Sequence, residues 1–315
     1  MLASDLSGPG RIGLQEIPTP DPTPGEVLVR LSRIGICGSD LSSVAMGALT
    51  IGLPVRPGAS GHECVGRVVA SRAGTEWVGR RVLALPPWDN GFAEYLALPA
   101  AACLPLPDEV DDDLAVVAQQ LGTVVHALRP IPSILDRRVV IVGQGPAGLA
   151  FLLMALGAGA RQVITVERRP ARRRASLSLG ADASLPPSPE VAPAVSDLTA
   201  GGADVVIDAA GGQEAIDLAP QLARPGGAIL QFGLPAGASS FHHEVAFRRQ
   251  LTTYRAVYAQ EEPELACFRL ALRLVARDSR WRSLVSHHLP LAELPRAIAL
   301  AGDEDGEALK VLLEA

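Results

Sequence analysis

Arg138-Val139-Val140-Ile141-Val142-Gly143-Gln144-Gly145-Pro146-Ala147-Gly148 is the stretch on which the fold turns. The run up to Val142 is apolar without polar alternation, as in a parallel strand covered on both faces. Gly143, Gly145 and Gly148 then fit G-x-G-x-x-G. The first glycine allows a tight turn, the second lets backbone approach a pyrophosphate, and the third lets the next helix pack close to the strand. Pro146 and Ala147 open that helix, whose free N–H groups face the phosphates. Gln162-Val163-Ile164-Thr165-Val166 is the next strand. Glu167 closes it about 20 residues past the turn, where a carboxylate accepts hydrogen bonds from an adenosine ribose. A carboxylate there favours NAD over NADP because it repels a 2′-phosphate; Arg168, Arg169 and Arg172 pull the other way.

Working outward, Asp204-Val205-Val206-Ile207-Asp208 and Ala228-Ile229-Leu230-Gln231-Phe232 read as further strands. Helices are expected around 175–179 and 214–222, and the Pro- and Ser-rich residues 184–196 as a loop. Alternating strand and helix in that rhythm means a doubly wound parallel Rossmann sheet. Upstream, the runs 27–31, 64–70, 81–85 and 93–98 are short strands between turns, so the first part is β-rich. Residues 111–128 have helical spacing behind the acidic start Asp111-Asp112-Asp113. A helix is expected over 263–276. The fold class is therefore α/β, with a β-rich domain and a doubly wound one.

The chain of 315 residues is 48% hydrophobic and 20% charged, with a formal net charge of -6. That balance speaks against nucleic acid or an anionic membrane as partner. Its most apolar long stretch, 147–160, is too short to cross a bilayer. Cys37, Cys64, Cys103 and Cys267 form no C-x-x-C pair and no disulfide framework. A reduced, cytoplasmic protein acting on a small molecule is expected.

Two further motifs lie in the β-rich part: Gly35-Ile36-Cys37-Gly38-Ser39-Asp40 and Gly61-His62-Glu63. Thiolate, imidazole and carboxylate are the donors of a catalytic zinc. With Pro24-Gly25-Glu26-Val27-Leu28-Val29, Leu179-Gly180-Ala181-Asp182, Pro225-Gly226-Gly227, Phe232-Gly233 and Lys310-Val311, they give the chain a resemblance. It is similar to the medium-chain, zinc-dependent alcohol and polyol dehydrogenases of the sorbitol, threonine and glucose dehydrogenase kind.

The resemblance implies a GroES-like catalytic domain over 1–121 and 256–315, split around a Rossmann domain over 122–255. It implies zinc ligands at Cys37 and His62, with Glu63 on or behind the metal and Gln119 at the remaining ligand position. Asp40 would accept a hydrogen bond from the other nitrogen of His62, and Ser39 would relay the substrate proton. Thr123, the backbone of Phe232-Gly233-Leu234 and that of Ala256-Val257-Tyr258 would flank the nicotinamide. Lys310, the only lysine, would reach the pyrophosphate. Trp88 would line the substrate cleft or sit in the core. The implied reaction is NAD(P)-linked interconversion of a secondary alcohol and a ketone, in a homodimer or homotetramer. The link 83–93 is too short for the four-cysteine lobe, so no structural zinc is expected. A zinc-free enone or quinone reductase, or a non-catalytic dinucleotide sensor, are the alternatives. The Cys37, Ser39, Asp40, His62 and Glu63 set speaks against the sensor, while the zinc-free reductase, which needs no such set, is told apart by metal analysis. His126, His242, His243, His287 and His288 have no ligand spacing.

Overall fold

The computed structural model describes all residues except 50, 51, 236, 237, 242, 256–258 and 304. The chain forms two units: Met1–Gly122 with Gln260–Asp303 and Ala308–Ala315, and Thr123–Ala259 with Glu304–Glu307.

The second unit is built on a parallel sheet of Arg138–Val142, Gln162–Val166, Ala183–Leu185, Ala203–Asp208, Ala223–Gln231 and Thr252–Arg255. Numbered along the chain, these strands lie in the order 3-2-1-4-5-6, the Rossmann arrangement. Val139 to Val142 and Val163 to Val166 are buried throughout, as strands covered on both faces must be. The helix Pro146–Gly157 starts with proline in its first turn and buries Gly148 through Leu153, so its apolar sequence needs no polar face. Asp204 accepts hydrogen bonds from Arg138 N (2.8 Å), Arg138 Nε (3.1 Å) and Arg224 Nε (2.7 Å). One carboxylate thus joins the ends of three neighbouring strands. The two guanidinium groups hold its pKa far below the ordinary carboxylate range, although burial alone would raise it.

Residues 184–196 are not the loop expected from composition. Ala183–Leu185 is an edge strand, and Val191–Leu198 is a helix with Val191 and Val195 buried. Pro193 sits in that helix's first turn, where no intrahelical N–H is required, so proline does not break it. The strand Thr252–Arg255 was not anticipated either. Its sequence TTYR has no apolar run, and none of its residues is fully buried.

The first unit carries the sheet Val285–Pro290, Lys310–Glu314, Glu26–Gly35, Glu63–Ser71, Arg81–Ala84 and Cys103–Pro105, with Tyr95–Pro99 also paired to Glu26–Gly35. Apart from the parallel pair Val285–Pro290 and Lys310–Glu314, its ladders are antiparallel. A separate hairpin, Leu2–Gly8 with Arg11–Glu16, precedes it. Val27, Val29, Ile34, Val82, Phe92, Leu294 and Leu313 are among the fully buried residues of its core. The helix Asp112–Leu128 begins where expected: Asp111 Oδ1 accepts from Leu114 N at 2.9 Å, satisfying one of the free N–H groups of the first turn. The helix expected over 263–276 is instead a short 3-10 turn, Pro263–Leu265, followed by Ala266–Val275. Glu264 and Leu265 between them adopt left-handed backbone. Among the described residues no helix is long and apolar enough to cross a membrane.

Candidate active site

In the first unit, strand register and one helix start bring Cys37, His62 and Glu63 together. Cys37 is the N-cap of the helix Gly38–Met46 and follows directly on the strand Glu26–Gly35. Glu63 opens the neighbouring strand and lies opposite Gly35 in the ladder. A β-carbon at Gly35 would overlap the Glu63 carboxylate and Val116. That glycine is therefore required for space, so that the Glu63 carboxyl group can turn inward. One donor atom each from Cys37, His62 and Glu63 lies within 4.8 Å of the others. Among the described residues it is the one such set of His, Cys, Asp and Glu side chains.

Asp40 is fully buried and holds the set together through backbone more than through His62. Its Oδ2 accepts from Cys37 N at 2.7 Å; its Oδ1 accepts from Ser60 Oγ at 2.6 Å and Gly61 N at 3.1 Å. The carboxylate thus ties the turn bearing Cys37 to the segment bearing His62. His62 Nδ1 is 3.6 Å from Asp40 Oδ1, an ionic contact rather than the hydrogen bond expected from the sequence. Burial lowers the pKa of His62, but Asp40 and then Cys37 outweigh it and raise the pKa well above the ordinary value. Glu63 Oε1 is buried without a hydrogen-bond partner, as a metal donor is before an ion satisfies it, while His62 Nδ1 faces Asp40 and leaves the other ring nitrogen for a ligand.

Two expectations shift here. The amide that meets the thiol is that of Gln120, whose Oε1 is 3.8 Å from Cys37 Sγ. Gln119 is equally buried, but one residue rotates a helical side chain by about 100°. Lys310 is 1% exposed; its Nζ lies against Glu63 Oε2 and donates to Ile36 O at 3.1 Å. The structure gives that ammonium a carboxylate partner inside the first unit instead of the expected pyrophosphate. Ser39 is half-buried in the first turn of Gly38–Met46. Trp88 is 41% exposed, with the Arg56 guanidinium 4.2 Å from its ring centroid, so it is not a core residue. Asp89, which the sequence did not single out, has left-handed backbone (φ 44°) and shares the electrostatic surroundings of His62 and Asp40.

In the second unit the turn Gly143–Gly148 stands at the carboxyl edge of the sheet. A β-carbon on Gly148 would collide with Gly143 O, and one on Gly143 would press on Ala210, just past the adjacent strand Ala203–Asp208. This is where the strand order reverses, the crevice in which open α/β sheets bind ligands. Phe232 N and Gly233 N both donate to Asp208 O at 2.9 Å, and Leu234 beyond them is exposed. Around Gly145 a β-carbon would meet only Arg172 Nη1, so backbone is open to a ligand there. Glu167 is buried, accepting from Gln144 N at 2.6 Å and Arg169 N at 2.8 Å. It therefore ties the turn to the backbone that follows the strand Gln162–Val166. Burial, followed by the nearby Arg169, lowers the pKa of Arg172 to about 10; Arg168 is exposed and Thr123 half-buried. His287 contacts Ser286 and His288 contacts Asp113. Ala256, Val257, Tyr258 and His242 lie outside the described residues.

Two family descriptions match the chain: an alcohol dehydrogenase GroES-like domain at residues 23–108 and a zinc-binding dehydrogenase at 146–277. A sorbitol dehydrogenase of Bos taurus is 28% identical, over 99% of this chain and 96% of its own. An L-threonine 3-dehydrogenase of Xanthomonas campestris pv. campestris is 27% identical, over 96% of each. Among solved structures, an alcohol dehydrogenase from Thermus sp. ATN1 superposes with a TM-score of 0.86 at 28% identity, covering 100% of both chains.

Proposed function

We propose a reaction for a chain that belongs to the medium-chain zinc-type alcohol and polyol dehydrogenase family: NAD-linked interconversion of a secondary alcohol and its ketone. The observation that carries it is the convergence of the half-buried Cys37 and His62 with the fully buried Glu63, whose Oε1 lacks a hydrogen-bond partner. Those three side chains would hold one zinc ion, with the neutral amide of Gln120 beside Cys37. Bound zinc supplies Lewis acidity, which brings the pKa of an alcohol towards neutrality.

The protein's own groups do the rest. Asp40 keeps the thiolate and the imidazole at fixed positions through Cys37 N, Ser60 and Gly61. Ser39 takes the carbinol proton outward. Lys310 balances the charge of Glu63. The Gly143–Gly148 turn and the N-terminus of Pro146–Gly157 bind the pyrophosphate, and Glu167 accepts from the adenosine ribose. That carboxylate favours NAD, with Arg168 and Arg172 at its flank. Thr123 and the backbone of Phe232, Gly233 and Leu234 position the nicotinamide, whose chemistry is to accept or return a hydride. A homodimer or homotetramer is the expected assembly.

The test is turnover of a panel of secondary alcohols, diols, polyols and amino alcohols with NAD and, separately, NADP. Formation of NADH from at least one secondary alcohol is expected, with NAD the better acceptor. No turnover of any member with either dinucleotide overturns the reaction, and a preference for NADP overturns the role given to Glu167.

A further inference from the structure

Lys310 joins the two strands that lead to the donor set. It opens the strand Lys310–Glu314, which pairs with Glu26–Gly35 so that Leu312 lies opposite Gly35. Ile36, the residue before Cys37, donates its N–H to Val311 O at 3.1 Å, and its carbonyl accepts from Lys310 Nζ at 3.1 Å. The same ammonium lies against Glu63 Oε2. Both side chains are sealed from water, Lys310 at 1% exposed and Glu63 at 0%. Oε2 also packs over Gly35, where a β-carbon would overlap it. The two oxygens of one carboxyl group are thus in different states. Oε2 has an ammonium beside it, whereas Oε1 is buried with no hydrogen-bond partner among the described residues.

A buried ion pair costs the desolvation of both charges and adds little net stability, so stability is a weak reason for the only lysine of the chain to be here. We propose that Lys310 is a positioning residue that reserves Glu63 Oε2, so that Glu63 meets a bound zinc ion through Oε1 alone. This role rests on the dehydrogenase reading and its metal site. Two consequences follow from the charges. The ammonium repels a second cation nearby, so zinc is held less tightly than the three donors alone would hold it. A carboxylate that shares its charge with an ammonium also neutralises less of the ion, which preserves the Lewis acidity the reaction uses.

The test uses the full chain, native and with Lys310→Met, which keeps an unbranched side chain and removes the charge. Zinc affinity is measured by chelator competition at neutral pH. The mode of carboxylate binding is read from the infrared difference between zinc-loaded and zinc-free protein carrying carbon-13 at its glutamate carboxyl groups. The native protein is expected to show the widely split stretches of a carboxylate bound through one oxygen. Lys310→Met is expected to bind zinc about tenfold more tightly, with the narrow splitting of a carboxylate bound through both oxygens. A lysine that serves the fold alone gives the opposite result, zinc affinity that is unchanged or lower in Lys310→Met, and that overturns the proposal. Two-oxygen splitting in the native protein also overturns it, and this measurement stands even where the variant does not fold. Failure of the metal reading shows separately: native protein that takes up no zinc overturns that reading and the role of Lys310 with it. Zinc uptake with the wrong splitting or the wrong order of affinities contradicts the role of Lys310 alone.

Discussion

The turn at Gly143–Gly148 and the cluster at Cys37, His62 and Glu63 face their ligands in opposite conditions. The turn is finished internally: Glu167 accepts from Gln144 N and Arg169 N, Gln144 Oε1 accepts from Ser176 Oγ at 3.1 Å, and Gly148 packs on Gly143 O. The cluster is held just as firmly by Asp40, but Glu63 Oε1 is buried there without a hydrogen-bond partner. A backbone site binds by shape and can be complete before its ligand arrives. A side-chain metal site is completed by the ion itself. Substitutions should therefore act differently in the two regions.

The largest effect is expected at the cluster. Cys37→Ser should remove the ion and lower kcat/KM on the order of 1,000-fold. Metal analysis of the purified variant and steady-state kinetics check this; full metal content with unchanged kinetics breaks the comparison. At the turn, Gly148→Ala forces a methyl group against Gly143 O. It should weaken NAD binding with a loss on the order of 100-fold in kcat/KM and cost about 1–3 kcal/mol of stability, while metal content stays native. Dinucleotide titration and denaturant unfolding measure the two. Next, Gln120→Ala should lower zinc affinity about tenfold and Gln119→Ala less. A chelator competition that ranks them the other way would return the ligand position to Gln119.

The smallest effect belongs to the scaffold of the second unit. Asp204 has its pKa depressed by Arg138 and Arg224, so its contribution is present above the unfolded carboxylate pKa. It is lost only as pH falls through the much lower folded value. Asp204→Asn should thus lower stability by about 1–3 kcal/mol near neutral pH, and the gap to the native protein should shrink only in strong acid. Urea unfolding of both proteins at pH 7 and below pH 3 checks the sign; a gap that widens with acid contradicts it.

The Rossmann sheet was legible because its central strands are uninterrupted apolar runs and its turn has a fixed glycine spacing. The strand Thr252–Arg255 and the helix Val191–Leu198 were not. The first is polar at a sheet edge, and the second carries a proline that only its first-turn position makes harmless. In the cluster, Cys37, His62 and Glu63 were found by donor type and motif, but which of Gln119 and Gln120 meets Cys37 depends on helical phase, which an adjacent pair of like residues does not reveal. Lys310 is a surface-type residue buried by pairing with a carboxylate far away in sequence, and no local pattern signals that.

Under the proposed function, the Cys37, His62 and Glu63 set holds the ion on which alcohol oxidation depends. Zinc per chain, measured in protein purified without chelators alongside NAD-linked alcohol oxidation before and after chelation, tests it most directly. A single zinc per chain is expected, with activity that disappears when it is removed and recovers when zinc is added back. Protein that retains full alcohol oxidation with no zinc bound would contradict it.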